Sequence, residues 1–122
     1  AEICFASFED EIAALPSAYE VILVARDPDW LGCVALRRLP DGACEMKRLY
    51  VRPNQQGRGI GCLLIQEAIE EARRLGYRRM LLDTLPSMES AIGLYRKMGF
   101  TQVPRYNENP LPGALFFELA FA

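Results

Sequence analysis

The sequence predicts an α/β domain built on a mixed, mostly antiparallel β-sheet flanked by helices. Three observations predict it. Between Glu20 and Val51 lie three apolar, β-branched runs separated by short turns, the pattern of an antiparallel meander. A glycine-rich stretch then opens a long amphipathic helix that leads to another apolar run, and a crossover of that length makes the new strand parallel to the one before it. Two final runs, Phe100–Val103 and Ala114–Phe121, close the chain as a hairpin. The length of 122 residues suits one domain, residues 1–122, with no linker or internal repeat.

The elements follow in order. Phe5, Phe8, Ile12 and Leu15 recur at helical steps, with Ser7 and Asp10 spaced as a capping box and Pro16 as a stop. Glu20–Arg26 reads as the first strand, and Asp27-Pro28-Asp29 as a turn. Trp30–Arg38 is the second strand, with Trp30 a packing anchor, and Pro40-Asp41-Gly42 is a hairpin turn. In the third strand, Cys44–Val51, alternation places Glu45, Lys47, Leu49 and Val51 on one face and Cys44, Met46, Arg48 and Tyr50 on the other. The helix after the glycines carries Ile60, Leu64, Ile65, Ala68, Ile69, Ala72 and Leu75, with Gly76 suited to its end. Arg79–Leu85 is the parallel strand. A second helix follows Pro86-Ser87, with Met88, Ala91, Ile92, Tyr95 and Met98 on its apolar face and Gly99 as its stop. The ten residues Pro104–Gly113 are long for a hairpin connection and read as a functional loop.

Composition narrows the chemistry. Hydrophobic residues make up 51% and charged residues 25%, which supports a folded core. With 14 basic and 16 acidic side chains the net charge is −2, against a nucleic-acid partner. The chain has no histidine, which excludes Ser-His-Asp and Cys-His nucleophile pairs and histidine-ligated metal; no metal is expected. Cys4, Cys33, Cys44 and Cys62 form no C-x-x-C pair and read as buried, reduced thiols of a cytoplasmic protein. No run is long enough to span a membrane, and none resembles a signal peptide. The chain does not begin with Met, so its N-terminus reads as processed or trimmed.

The informative stretch is Gln56-Gly57-Arg58-Gly59-Ile60-Gly61, between a strand and a helix. Glycines let the backbone curl and expose successive N–H groups, and the helix N-terminus adds open donors and partial positive charge. Together they suit a phosphate or diphosphate, with Arg58 and Gln56 as added donors. A Walker loop would end in G-K-[ST], which is absent. A dinucleotide fingerprint would need a third glycine where Cys62 or Leu64 stands.

These residues resemble the GNAT superfamily of acyl-CoA-dependent N-acetyltransferases, whose Q/R-x-x-G-x-G/A motif matches Gln56–Gly61. The preceding C-E-M-K-R-L-Y-V-R-P resembles the family's fourth strand. Ala91-Ile92-Gly93-Leu94-Tyr95-Arg96-Lys97-Met98-Gly99-Phe100 resembles its second motif, A-x-x-L-Y-x-x-x-G-F. Met88 stands where many members carry asparagine. The resemblance implies a sheet splayed between its central parallel strands, and an N-terminal strand and helix that this chain lacks.

It also implies acetyl-CoA as co-substrate. The diphosphate would lie on Gln56, Gly57, Arg58, Gly59, Ile60 and Gly61 with Cys62 beside it, and the pantetheine arm would pair with Leu49, Tyr50 and Val51. An amine of a small molecule or peptide would attack the thioester directly. Glu45 or water would be the base, a backbone N–H near Leu49 would stabilise the oxyanion, and Tyr95 would protonate the leaving thiolate. Tyr106, Asn107 and Asn109 in the long loop are candidates to contact the acceptor, and a homodimer is the expected assembly. A non-catalytic acyl-CoA-binding or sensing domain is the alternative on the same fold.

Overall fold

A computed structural model describes residues 4–7 and 19–121. Its sheet has seven strands: β1 (Cys4–Ser7), β2 (Tyr19–Arg26), β3 (Trp30–Arg38), β4 (Ala43–Val51), β5 (Arg79–Thr84), β6 (Thr101–Val103) and β7 (Leu115–Ala120). They lie in the order β1-β2-β3-β4-β5-β7-β6, and every neighbouring pair is antiparallel except β4 and β5. Two α-helices are described, α1 (Ile60–Arg74) and α2 (Glu89–Lys97).

The first strand corrects an expectation. Phe5 lies in β1, paired opposite Ala25 on the edge of β2, so the N-terminal strand expected to be missing is present. An open strand edge offers backbone partners to any extended segment that reaches it, and at Phe5 this outweighed the helical spacing. The rest of that expected helix, with Asp10 and Pro16, lies outside the described residues.

The meander forms as predicted. Asp41 and Gly42 both take positive φ, 62° and 73°, the geometry of a tight hairpin turn, and the Leu39 N–H donates to the Ala43 carbonyl at 2.9 Å. Helix α1 lays Ile60, Leu64, Ile65, Ala68 and Ala72 on β2, β3 and β4, each fully buried. Burying an isoleucine or leucine contributes about 1.5–3 kcal/mol, so this face fixes the helix to the sheet. The same core takes in Met80, Leu82, Tyr95, Phe100 and Phe117.

Two irregularities position the site. Strands β4 and β5 pair only from Ala43↔Arg79 to Glu45↔Leu81; beyond that they diverge, leaving Met46–Val51 without a partner on the β5 side. The second is a bulge in β4. The register passes from Ala35↔Lys47 to Cys33↔Tyr50, so Arg48 and Leu49 together stand opposite Val34, and Arg48 takes φ 60°. The extra residue breaks the predicted alternation. Glu45 and Lys47 share the face away from α1, but Leu49 and Val51 pack with Cys44 and Met46 against the core rather than with Glu45.

Two smaller expectations are also revised. Trp30 is 36% exposed and stacks on Tyr50 at 5.7 Å between ring centres, so it is a surface aromatic pair rather than a core anchor. Cys44 is buried, and burial first, then the nearby Glu20 charge, pushes its thiol up to about 12. Cys33 and Cys62 are only half-buried. Among the described residues no helix is long and apolar enough to cross a membrane.

Candidate active site

The glycine loop curls as its sequence requires. Gly57 and Gly59 take φ 87° and 78°, and a Cβ at either would meet nothing within 4 Å, so both border open space. Gly59 caps α1 without a side-chain bond, and the Leu63 N–H is the first to find a helical acceptor, the Gly59 carbonyl at 3.1 Å. The amides of Ile60, Gly61 and Cys62 are therefore open, and no acidic side chain occupies the first turn. At Gly61 the reason for glycine differs: a Cβ would lie 3.2 Å from Leu94 Cδ1, so its absence lets α1 approach α2.

In front of these amides runs a cavity of about 610 Å³. One wall is Leu49, Tyr50 and Val51 on the unpaired edge of β4; the floor is Gln56, Gly57, Gly59, Gly61 and Cys62. The other wall is one face of α2, where Ser90, Gly93 and Lys97 follow at helical spacing behind Met88. A second cavity of about 290 Å³ continues from it, with Leu49 and Met88 lining both. Its polar lining is Lys47, Arg48, Asp83, Thr84, Tyr95 and Asn109. A larger hollow of about 770 Å³ lies along the outer face of α1, from Gln66 to Arg74, but it offers neither open amides nor a strand edge.

Most of the expected cofactor residues meet in the first cavity, with two exceptions. The Arg58 side chain turns away, donating to Gln55 Oε1 at 2.6 Å and facing Asp27 at 3.6 Å, and Ile60 points into the core. Each leaves only its backbone to the loop. Lys97 and Ser90 were not in the expected set, although their spacing to Gly93 on α2 was readable.

Tyr95 sits at the inner end. Its ring packs on Phe100 and Phe117, at 5.8 and 6.2 Å between centres, while the residue lines the second cavity. Burial first, then the charge of Asp83, pushes its phenol up to about 12, so it stays protonated in neutral solution. No described residue hydrogen-bonds the hydroxyl.

Glu45 is placed differently from its expected role. It is fully buried and lines neither cavity. Tyr106 donates to its Oε2 at 2.5 Å and Asn107 at 3.1 Å, Lys47 Nζ is 3.7 Å away, and Arg37 Nη2 lies 3.1 Å from Oε1, off the hydrogen-bonding line. Asn107 also donates to Asp83 Oδ2 at 2.6 Å, and Lys47 binds Asp83 at 3.1 Å. Burial opposes the charge of Asp83, but the bonds from Asn107 and Lys47 outweigh it and hold this carboxyl below its usual range. Burial and the adjoining Glu45 push the Tyr106 phenol far up, so it acts as a donor. Of the expected loop contacts, Asn109 reaches the second cavity, whereas Tyr106 and Asn107 serve the carboxylates beneath it.

A splayed parallel pair, a bulged strand and a helix opening on glycines define an acyltransferase fold. The model of the Acetyltransferase (GNAT) family matches residues 2–100, and the chain belongs to that family. An uncharacterized N-acetyltransferase of Schizosaccharomyces pombe is 40% identical over 97% of this chain and 77% of its own length. Two longer relatives are spanned over only 31% and 36% of their lengths. Among solved structures, an IAA acetyltransferase from Bacillus cereus matches with TM-score 0.81 at 19% identity, over 98% of this chain and 100% of that one. A Bacillus subtilis acetyltransferase in complex with CoA matches with TM-score 0.78 at 20% identity, over 99% and 100%.

Proposed function

We propose that the chain moves the acetyl group of acetyl-CoA to an amine of a small molecule or peptide by direct attack. The observation that carries this reading is the continuity of the two cavities. Open amides at the start of α1 lead along the unpaired edge of β4 to Tyr95.

Acetyl-CoA supplies the thioester. The amides from Gln56 to Cys62 receive its diphosphate, and the backbone of Leu49, Tyr50 and Val51 receives the amides of its arm as an added strand would. The nitrogen lone pair forms the new bond to the carbonyl carbon, and the carbon–sulfur bond breaks. A backbone N–H at the bulge near Leu49 faces the developing oxyanion. Tyr95 gives its proton to the leaving thiolate. The amine's proton leaves to water at the cavity, because Tyr106 and Asn107 close off Glu45. Glu45 then serves to hold the loop. A cytoplasmic setting, where reduced thiols persist, and a homodimer complete the reading.

Calorimetry with acetyl-CoA, ATP and NAD, followed by thiol release over a panel of amines, tests it. Binding of acetyl-CoA alone with turnover of an amine is expected. Absence of any acetyl-CoA binding overturns the reading; tight binding without turnover of any amine leaves the sensing domain in its place.

A further inference from the structure

The charges around the second cavity do not balance locally. Glu45 and Asp83 are matched by Arg37 and Lys47, two carboxylates against two cations in one connected cluster. Arg48 stands outside it. It lines the cavity, is exposed, and has no acidic partner among the described residues. Its Nε donates to the Tyr19 hydroxyl at 2.8 Å, and its guanidinium lies 6.0 Å over the Tyr19 ring. That bond anchors the side chain by its inner nitrogen and leaves the two terminal nitrogens as a free, planar fork. Its backbone is unusual as well: φ 60° is a conformation that ordinary side chains rarely adopt and that glycine takes without strain.

We infer that the acceptor carries a carboxylate beside its amine and that Arg48 binds this carboxylate. The substrate class is thus the free amino acids and similar small amino-carboxylates. A fixed guanidinium with two parallel donors matches the two oxygens of a carboxylate. Leu85, Met88 and Leu111 line the same cavity and offer an apolar seat for a side chain. A volume of about 290 Å³ is at the small end of ligand cavities, which favours an amino acid over a folded protein. A polycationic acceptor would meet Arg48 and Lys47 as like charges.

The inference rests on the transfer reading above, and the experiment separates the two. Thiol release from acetyl-CoA is measured with methionine and leucine, with their carboxamides, and with the amines left by removing the carboxyl group. The free acids are expected to exceed both analogues roughly tenfold to hundredfold in kcat/KM, mostly through KM. The variant Arg48→Asn keeps a residue that tolerates positive φ, and acetyl-CoA titration checks that it is folded; in it the preference for the acid is expected to vanish. Arg48→Lys keeps the charge without the fork and is expected to fall between. Carboxamides used as well as acids, or an acid preference that survives in Arg48→Asn, overturns this inference alone. Binding of acetyl-CoA with no turnover of any compound overturns the transfer reading, and this inference with it.

Discussion

The carboxylates of Glu45 and Asp83, on neighbouring strands whose last pair is Glu45↔Leu81, meet on one side-chain amide. Asn107 Nδ2 lies 3.1 Å from Glu45 Oε2 and 2.6 Å from Asp83 Oδ2. The long loop is thereby fastened to the sheet where the site opens. Replacing Asn107 with alanine removes a donor from two buried or half-buried charges. A hydrogen bond to a charged group contributes about 1.5–3 kcal/mol, so a drop of that order in unfolding free energy is expected from urea denaturation. An unchanged midpoint would show that the bridge adds nothing.

The same bridge sets an acid limit. The folded Asp83 carboxyl titrates below its unfolded value of about 3.9. Its stabilising contribution is therefore complete above that unfolded value and is lost as pH falls through the lower, folded one. Denaturation midpoints of the wild type are expected to fall below pH 4, and less steeply in Asp83→Asn. Parallel curves for the two proteins would remove Asp83 from acid sensitivity.

Glu45→Gln keeps an acceptor for Tyr106 but removes the charge that faces Arg37 and Lys47. Breaking a fully buried pair costs about 3–5 kcal/mol, but both cations are partly exposed, at 38% and 27%, and water can solvate what is left. A loss nearer 1–3 kcal/mol is expected by the same reasoning. Where the variant is folded, the pH profile of kcat is expected to keep its shape. A vanished acidic limb would restore Glu45 as the base.

The outcome for Glu45 shows where the sequence was legible. The strands from Tyr19 to Val51, the crossover and the glycine loop all obey local rules: alternation, turn chemistry, helical spacing. Gln56 and the glycines could be placed because a strand-loop-helix is contiguous in the chain. Glu45 could be placed on a face but not in a setting, because its partners Tyr106 and Asn107 arrive from sixty residues away in the chain. Asp83 hid in an apolar strand for the same reason. The bulge at Arg48 misled in another way. One inserted residue sends Leu49 and Val51 to the opposite face, and nothing in C-E-M-K-R-L-Y-V marks Arg48 as the residue with positive φ. At Phe5 an open strand edge prevails over the helical spacing it shares with Phe8, Ile12 and Leu15.

Gly59→Ala tests the loop. Its Cβ would clash with nothing, so the cost is that of positive φ, about 1–2 kcal/mol per residue. The backbone can relieve that strain only by turning the open amides. Weaker binding of acetyl-CoA, by about tenfold, is expected from calorimetry, and Gly76→Ala, at φ 90° far from the site, is expected to lose stability without losing affinity. Equal affinity in wild type and Gly59→Ala would detach the loop from the diphosphate.

Tyr95→Phe separates chemistry from packing. The ring makes the contacts with Phe100 and Phe117, and those survive the change. The hydroxyl has no described partner, so its removal leaves no orphaned bond and stability is expected to hold within about 0.5 kcal/mol. Acetyl-CoA affinity is expected to stay within a factor of about two, because Tyr95 lines only the second cavity. The proton for the thiolate is what goes. A positioned acid contributes about 10²–10⁴-fold, and kcat is expected to drop by at least the lower figure. The fall should be smaller with acyl donors whose leaving thiol is more acidic, since these need the proton less. A uniform fall across such donors would mean that Tyr95 shapes the cavity without giving up its proton.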